Sequence, residues 1–162
     1  MDRILDWLKK NHAQLVNDLA KLVSLPSVST DAHVNPEHRA RLDDSAALTA
    51  ELMRKAGLNN VEVLTSGDSK PYAFGEWLGA PGRPTVFLYS HHDVQPVHQK
   101  DLDEGKWHSD PWVLTPRDGR LYARGSSDDK GGVVAQLGAI AATMAVEGQL
   151  PVNVKVLVEG EE

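Results

Sequence analysis

The run Thr85-Val-Phe-Leu-Tyr89 most limits what this chain can fold into. It carries no charge and is rich in residues that fit a pleated surface, so it reads as a buried central strand. It stops abruptly at Ser90-His-His-Asp93. Val152–Val158, apolar on one face, reads as a second strand and stops at Glu159-Gly-Glu-Glu162. Between them, Val133, Val134, Leu137, Ile140, Ala141 and Met144 form the buried stripe of a helix over Gly131–Val146. Helices alternating with apolar strands predict an α/β layered sheet with helices on both faces.

The rest of the chain fits that class. Ile4, Leu5, Leu8, Leu15, Leu19, Leu22 and Val23 predict an amphipathic helix over residues 3–23, ended by Pro26 and the Ser/Thr-rich Ser24–Thr30. A second helix is expected over 37–56, with Gly57 just past its end. Val61–Leu64 and Tyr72–Leu78 read as strands, and Gly79–Pro84 as a tight turn. A loop of about twenty residues follows Asp93 as far as Trp112, a length that is often functional. Val113–Thr115 and Arg120–Tyr122 flank Pro116-Arg-Asp-Gly119 as a hairpin. The 162 residues suffice for one domain with its own core.

Composition narrows the function. The net charge is -6 with no basic stripe, which argues against nucleic acid and anionic membrane as partners. There is no cysteine, so no disulfide, thiolate ligand or cysteine nucleophile. The first ten residues are charged throughout, unlike a signal peptide, and no run approaches the ~18 apolar residues of a membrane span. The expected location is the cytoplasm.

Three polar clusters lie at the expected carboxyl ends of strands, where open α/β sheets bind ligands. In an extended segment His91 and Asp93 share a side and His92 faces the other. A neutral imidazole can bind zinc while a carboxylate fixes its ring; the plainer alternative is a histidine capping the strand. In Gly125-Ser-Ser-Asp-Asp-Lys-Gly-Gly132, Asp128 or Asp129 either caps the following helix or serves a cation. A phosphate site is the poorer reading, because the P-loop pattern is missing and two aspartates repel a phosphate. Glu159–Glu162 alone would be a solvated surface feature. Together the clusters supply imidazole and carboxylate ligands with a carboxylate to spare for general-base work. His12, His33 and His38 are expected in solvent, His98 and His108 in the long loop, and Trp107 and Trp112 as pins holding that loop to the body.

Three motifs in combination, Tyr-Ser-His-His-Asp-Val-Gln-Pro96, Leu121-Tyr-Ala-Arg-Gly-Ser-Ser-Asp-Asp-Lys-Gly-Gly132 and Val158-Glu-Gly-Glu-Glu162, make the chain resemble the M20 family of metallopeptidases. The dipeptidase branch is the nearest in pattern, with desuccinylases and deacetylases as relatives. The resemblance implies the α/β/α sheet of zinc exopeptidases, here incomplete, with 1–162 as the N-terminal portion of the catalytic domain. The dimerisation domain, a further acidic ligand and a C-terminal His ligand would lie beyond it, leaving an open sheet edge and exposed apolar surface.

It further implies His91 as a zinc ligand, Asp93 as the carboxylate orienting it, Asp128 as a bridge between two metals, and often a cis Asp128–Asp129 peptide. Glu162 would be the general base, or Glu161 if the register moves by one. The implied cofactor is Zn2+, two per site, with Mn2+ or Co2+ as alternatives. The implied substrate is a small peptide or an N-acyl amino acid, and the implied parent is a homodimer. The competing expectation is a non-catalytic short protein that retains the fold's first half and binds metal weakly.

Overall fold

A computed structural model describes residues 2–30, 32, 34–67 and 69–162. Helix α1 spans Asp2–Val23 and buries Leu19, Leu22 and Val23. Helix α2, Pro36–Lys55, starts at Asn35, whose side chain accepts from the amides of Glu37 and His38. Pro36 at the first position needs no donor there. Gly57, at φ 96°, lets the chain turn away after α2.

Strands β1 (Asn59–Leu64), β2 (Tyr72–Trp77), β3 (Thr85–His91) and β6 (Asn153–Glu159) form one sheet in the order β1-β2-β6-β3. β1, β2 and β6 run antiparallel in turn, while β3 and β6 are parallel. The segment between β3 and β6 holds the short helix α3 (Gln99–Asp103), the hairpin β4–β5 (Thr115–Arg117 and Arg120–Tyr122) and helix α4 (Lys130–Glu147). β3, α4 and β6 thus make a crossover unit whose two strands end level, with His91 opposite Glu159.

The core lies between the helices and one sheet face. Ala73 and Trp77 of β2 and Val154, Val156 and Val158 of β6 meet Leu19, Leu22, Met53, Val133, Leu137 and Ile140 in one cluster. The α/β class agrees with the sequence, and the sheet is mixed. Helices α1, α2 and α4 all cover this one face, so among the described residues the layers are two. The opposite face, with Phe87 and Tyr89 of β3, is open: Phe87 is 57% exposed.

β3 corrects one expectation. It is an edge strand and not a central one, because β6 enters between β2 and β3 and nothing described pairs with β3's outer side. The turn at 79–84 therefore crosses the amino end of β6, and Asn153 holds it there. Its Oδ1 accepts from the Ala80 amide at 3.0 Å, and its Nδ2 donates to the carbonyls of Ala80 and Arg83.

Two smaller differences have local causes. The hairpin turn is only Asp118-Gly119, at φ 50° and 73°, the left-handed pair that matches strand twist, so Pro116 and Arg117 join β4 and Val113 and Leu114 drop out of it. The long loop is not structureless: it contains α3, and Val94 forms a parallel bridge to Val28. Trp107 stacks on the Arg124 guanidinium at 5.4 Å and pins the loop as expected. His12, His98 and His108 are exposed, His38 is half-buried, and His33 lies outside the described residues.

Candidate metal centre

His91 is the last residue of β3, and its alternation with Ser90 and His92 turns its ring away from the core. Nδ1 lies 3.1 Å from Asp93 Oδ1, which stands two residues on and on the same side. Nε2 lies 3.0 Å from Asp128 Oδ1 and 3.5 Å from Glu162 Oε2. One ligand atom from each of His91, Asp128 and Glu162 falls within 4.8 Å of the others. The ring is buried, while the Asp128 and Glu162 side chains are 81% and 62% exposed. The cluster is anchored at its floor and open at its mouth.

The donor set fits a divalent cation. With Asp93 taking the Nδ1 proton, a neutral His91 presents its Nε2 lone pair to two carboxylates. Only a proton or a cation relieves that arrangement. Burial opposes charge on the ring, but the hydrogen bond to Asp128 and the charges of Asp93 and Glu162 outweigh it, so the His91 pKa is raised. Imidazole nitrogen with carboxylate oxygen is a zinc-type donor set that also suits Mn2+ and Co2+.

His92 points the other way and has no exposed surface. Its Nε2 meets the Pro71 carbonyl at 2.9 Å, and burial pushes its pKa down to about 4, so at neutral pH the ring is uncharged and donates through Nε2.

The three acidic residues at the end of β6 separate. Glu159 is no solvated carboxylate: Tyr89 donates to its Oε2 at 2.7 Å and Tyr72 to its Oε1 at 3.4 Å. That hydrogen bond, with burial, pushes the Tyr89 hydroxyl up to about 12. Glu161 turns toward the buried Lys70, at 3.7 Å. Glu162 alone of the three reaches His91. Gly160 makes this divergence possible, because a side chain there would strike the Pro71 carbonyl.

Asp128 is delivered by the segment entering α4. The Asp128–Asp129 peptide is cis. Asp129 occupies the N-cap position of α4 without a side-chain capping bond, so neither aspartate caps the helix. Lys130 is fully buried and its Nζ donates to the carbonyls of Leu22 (2.8 Å) and Leu25 (2.7 Å). It is therefore not available to a phosphate at this glycine-rich turn.

Sequence reasoning missed the residues beneath the site. Ser27 Oγ donates to the His92 carbonyl at 2.7 Å, and Ser29 Oγ donates to Asp93 Oδ2 at 2.6 Å. Their only signal is the polar–apolar–polar alternation Ser27-Val-Ser29 beyond a helix end. A groove of about 660 Å3 lies elsewhere, between α1, α2 and α4, and none of the three polar clusters borders it.

Residues 87–162 match the model of peptidase family M20/M25/M40, a stretch that contains His91, Asp93, Asp128 and Glu162. A Beta-Ala-His dipeptidase of Mus musculus is 33% identical over the whole of this chain, which covers 34% of that protein. A Cys-Gly metallodipeptidase of Schizosaccharomyces pombe is 30% identical, with the same coverage. The crystal structure of human carnosine dipeptidase 1 superposes with a TM-score of 0.87 at 32% identity, over 99% of this chain and 34% of that one. The chain thus spans about a third of the length of the relatives it matches. No described helix is long and apolar enough to cross a membrane. Sequence motifs, sheet topology and these likenesses agree on one family: residues 87–162 match peptidase family M20/M25/M40, and the whole chain is similar to dipeptidases.

Proposed function

We propose that this chain is the N-terminal portion of the catalytic domain of a metal-dependent dipeptidase, and that its polar strand ends form part of a zinc site. The observation that supports the reading best is His91, held from behind by Asp93 and facing Asp128 and Glu162 across 3.0 and 3.5 Å. His91 and Asp128 would hold metal, with Asp128 shared between two ions in the complete protein. A bound divalent ion supplies an acidified water and a polarised carbonyl.

The chain's own residues do the rest. Asp93 keeps the His91 ring in the tautomer that presents Nε2. Glu162, exposed at the mouth, takes a proton from the attacking water and passes it to the leaving amine as the C–N bond breaks. Glu161 is the poorer base, because it faces Lys70. Dipeptides are the favoured substrates, since the relatives' names specify them, with N-acyl amino acids as the second class. The complete protein would be a homodimer through a domain outside these residues.

The test is hydrolysis of β-Ala-His, Cys-Gly and an N-acetyl amino acid by the full-length natural protein. Cleavage that a chelator abolishes and zinc restores is expected. Cleavage indifferent to chelation, or none with metal loaded, would reject the reading.

A further inference from the structure

We propose that Ser29 is a positioning residue for the candidate metal centre: its hydroxyl fixes the Asp93 carboxylate, and through it the His91 ring. Asp93 is 2% exposed, and a carboxylate so buried needs donors for both oxygens. Oδ2 takes the Ser29 hydroxyl at 2.6 Å, and Oδ1 takes His91 Nδ1 at 3.1 Å. Among the described residues each oxygen has one hydrogen-bond partner, so the carboxylate plane is set by Ser29 on one side and reads out on the imidazole on the other.

Ser29 is itself held. Val28 bridges Val94, the Val94 amide donates to the Ser27 carbonyl at 3.0 Å, and Ser27 Oγ donates to the His92 carbonyl. Lys130 donates to the Leu25 carbonyl a few residues earlier. The segment after α1 therefore touches both chain stretches that carry ligand candidates, 91–94 and 128–130. Among its described residues only Ser29 donates to a side chain of the site. Ser27 makes a comparable buried bond, but to main chain, and so serves as its control.

The ring claim stands on geometry alone; the metal-affinity arm rests on the proposed zinc site. The experiment uses the full-length natural protein and its Ser29→Ala, Ser29→Thr, Ser29→Cys and Ser27→Ala variants. Two readouts are taken: the His91 tautomer by long-range 15N–1H NMR in metal-free protein at alkaline pH, and Zn2+ affinity by competition with a chromogenic chelator. Wild type and Ser29→Thr are expected to show His91 protonated at Nδ1 only.

Ser29→Ala is expected to give a mixture of tautomers and to weaken zinc about 10- to 100-fold, the range for losing a partner behind a metal-binding histidine. Ser29→Cys, near in size but a weak donor, is expected between them and decides the matter if the alanine variant does not fold. Ser27→Ala is expected to lower the melting temperature while leaving tautomer and affinity unchanged. An unchanged His91 ring in Ser29→Ala and Ser29→Cys, or equal losses in Ser27→Ala, overturns the proposal. Absence of zinc binding in wild type rejects the metal site, and the tautomer alone then decides the role of Ser29.

Discussion

His91 and Asp128 lie 37 positions apart in sequence, yet His91 Nε2 and Asp128 Oδ1 approach to 3.0 Å. The approach joins the end of β3 to the start of α4, two elements that a parallel crossover brings to one sheet edge. If the pair is a ligand pair, His91→Ala and Asp128→Asn each weaken Zn2+ binding by more than about 100-fold, beyond the loss typical of an outer partner. Equilibrium zinc titration of the full-length protein checks this, with circular dichroism to confirm the fold.

Lys130 ties α4 to the end of α1 through two carbonyls. Lys130→Met removes the ammonium from both carbonyls, which keep only the Leu25 and Ser27 amides as donors; losing each charge-assisted bond costs about 1.5–3 kcal/mol, partly offset because an ammonium no longer has to be buried. A net loss of about 1–3 kcal/mol in urea unfolding is expected, with α4 exchanging amide hydrogens faster.

His92 gives the metal-free protein an acid limb. Its pKa is about 4 when folded, against 6.5 for the free side chain, because burial disfavours charge. The unfolded chain binds the proton first, so stability is full above about pH 6.5 and falls by up to about 3 kcal/mol as pH drops to about 4. His91 has the opposite sign: its pKa is raised, so its contribution is present at low pH and lost as pH rises. Chemical unfolding across this window should show a shallower acid limb for His92→Gln than for wild type.

Gly160, just past β6, packs against Pro71, just before β2. An added methyl would strike the Pro71 carbonyl and crowd His92 Nε2, 3.2 Å away. Gly160→Ala should cost about 1–3 kcal/mol, as overpacking does, and should disturb the His92–Pro71 hydrogen bond. Thermal unfolding and the His92 ring NMR signals measure the two effects.

Much of the site was legible because it follows local rules. Strand periodicity alone puts His91 and Asp93 on one side and His92 on the other, and the structure agrees. Helix boundaries α1, α2 and α4 fell within a residue of their stripes and caps. What escaped depends on contacts distant in sequence. Ser29 and Asp93 are 64 positions apart, and no spacing rule links them. β3 looked central because it is apolar on both faces, but burial also needs neighbours, and a strand cannot declare its own. Glu159 looked solvated because the tyrosines that hold it come from β2 and β3.

The most direct test compares wild-type and Glu162→Gln full-length protein for dipeptide turnover, with bound metal measured in the same samples. The variant is expected to keep its metal and to lose about 10²- to 10⁴-fold in turnover, the usual contribution of a general base. Wild-type turnover in the metal-loaded variant would contradict it, as would a metal-loaded wild type that cleaves no dipeptide.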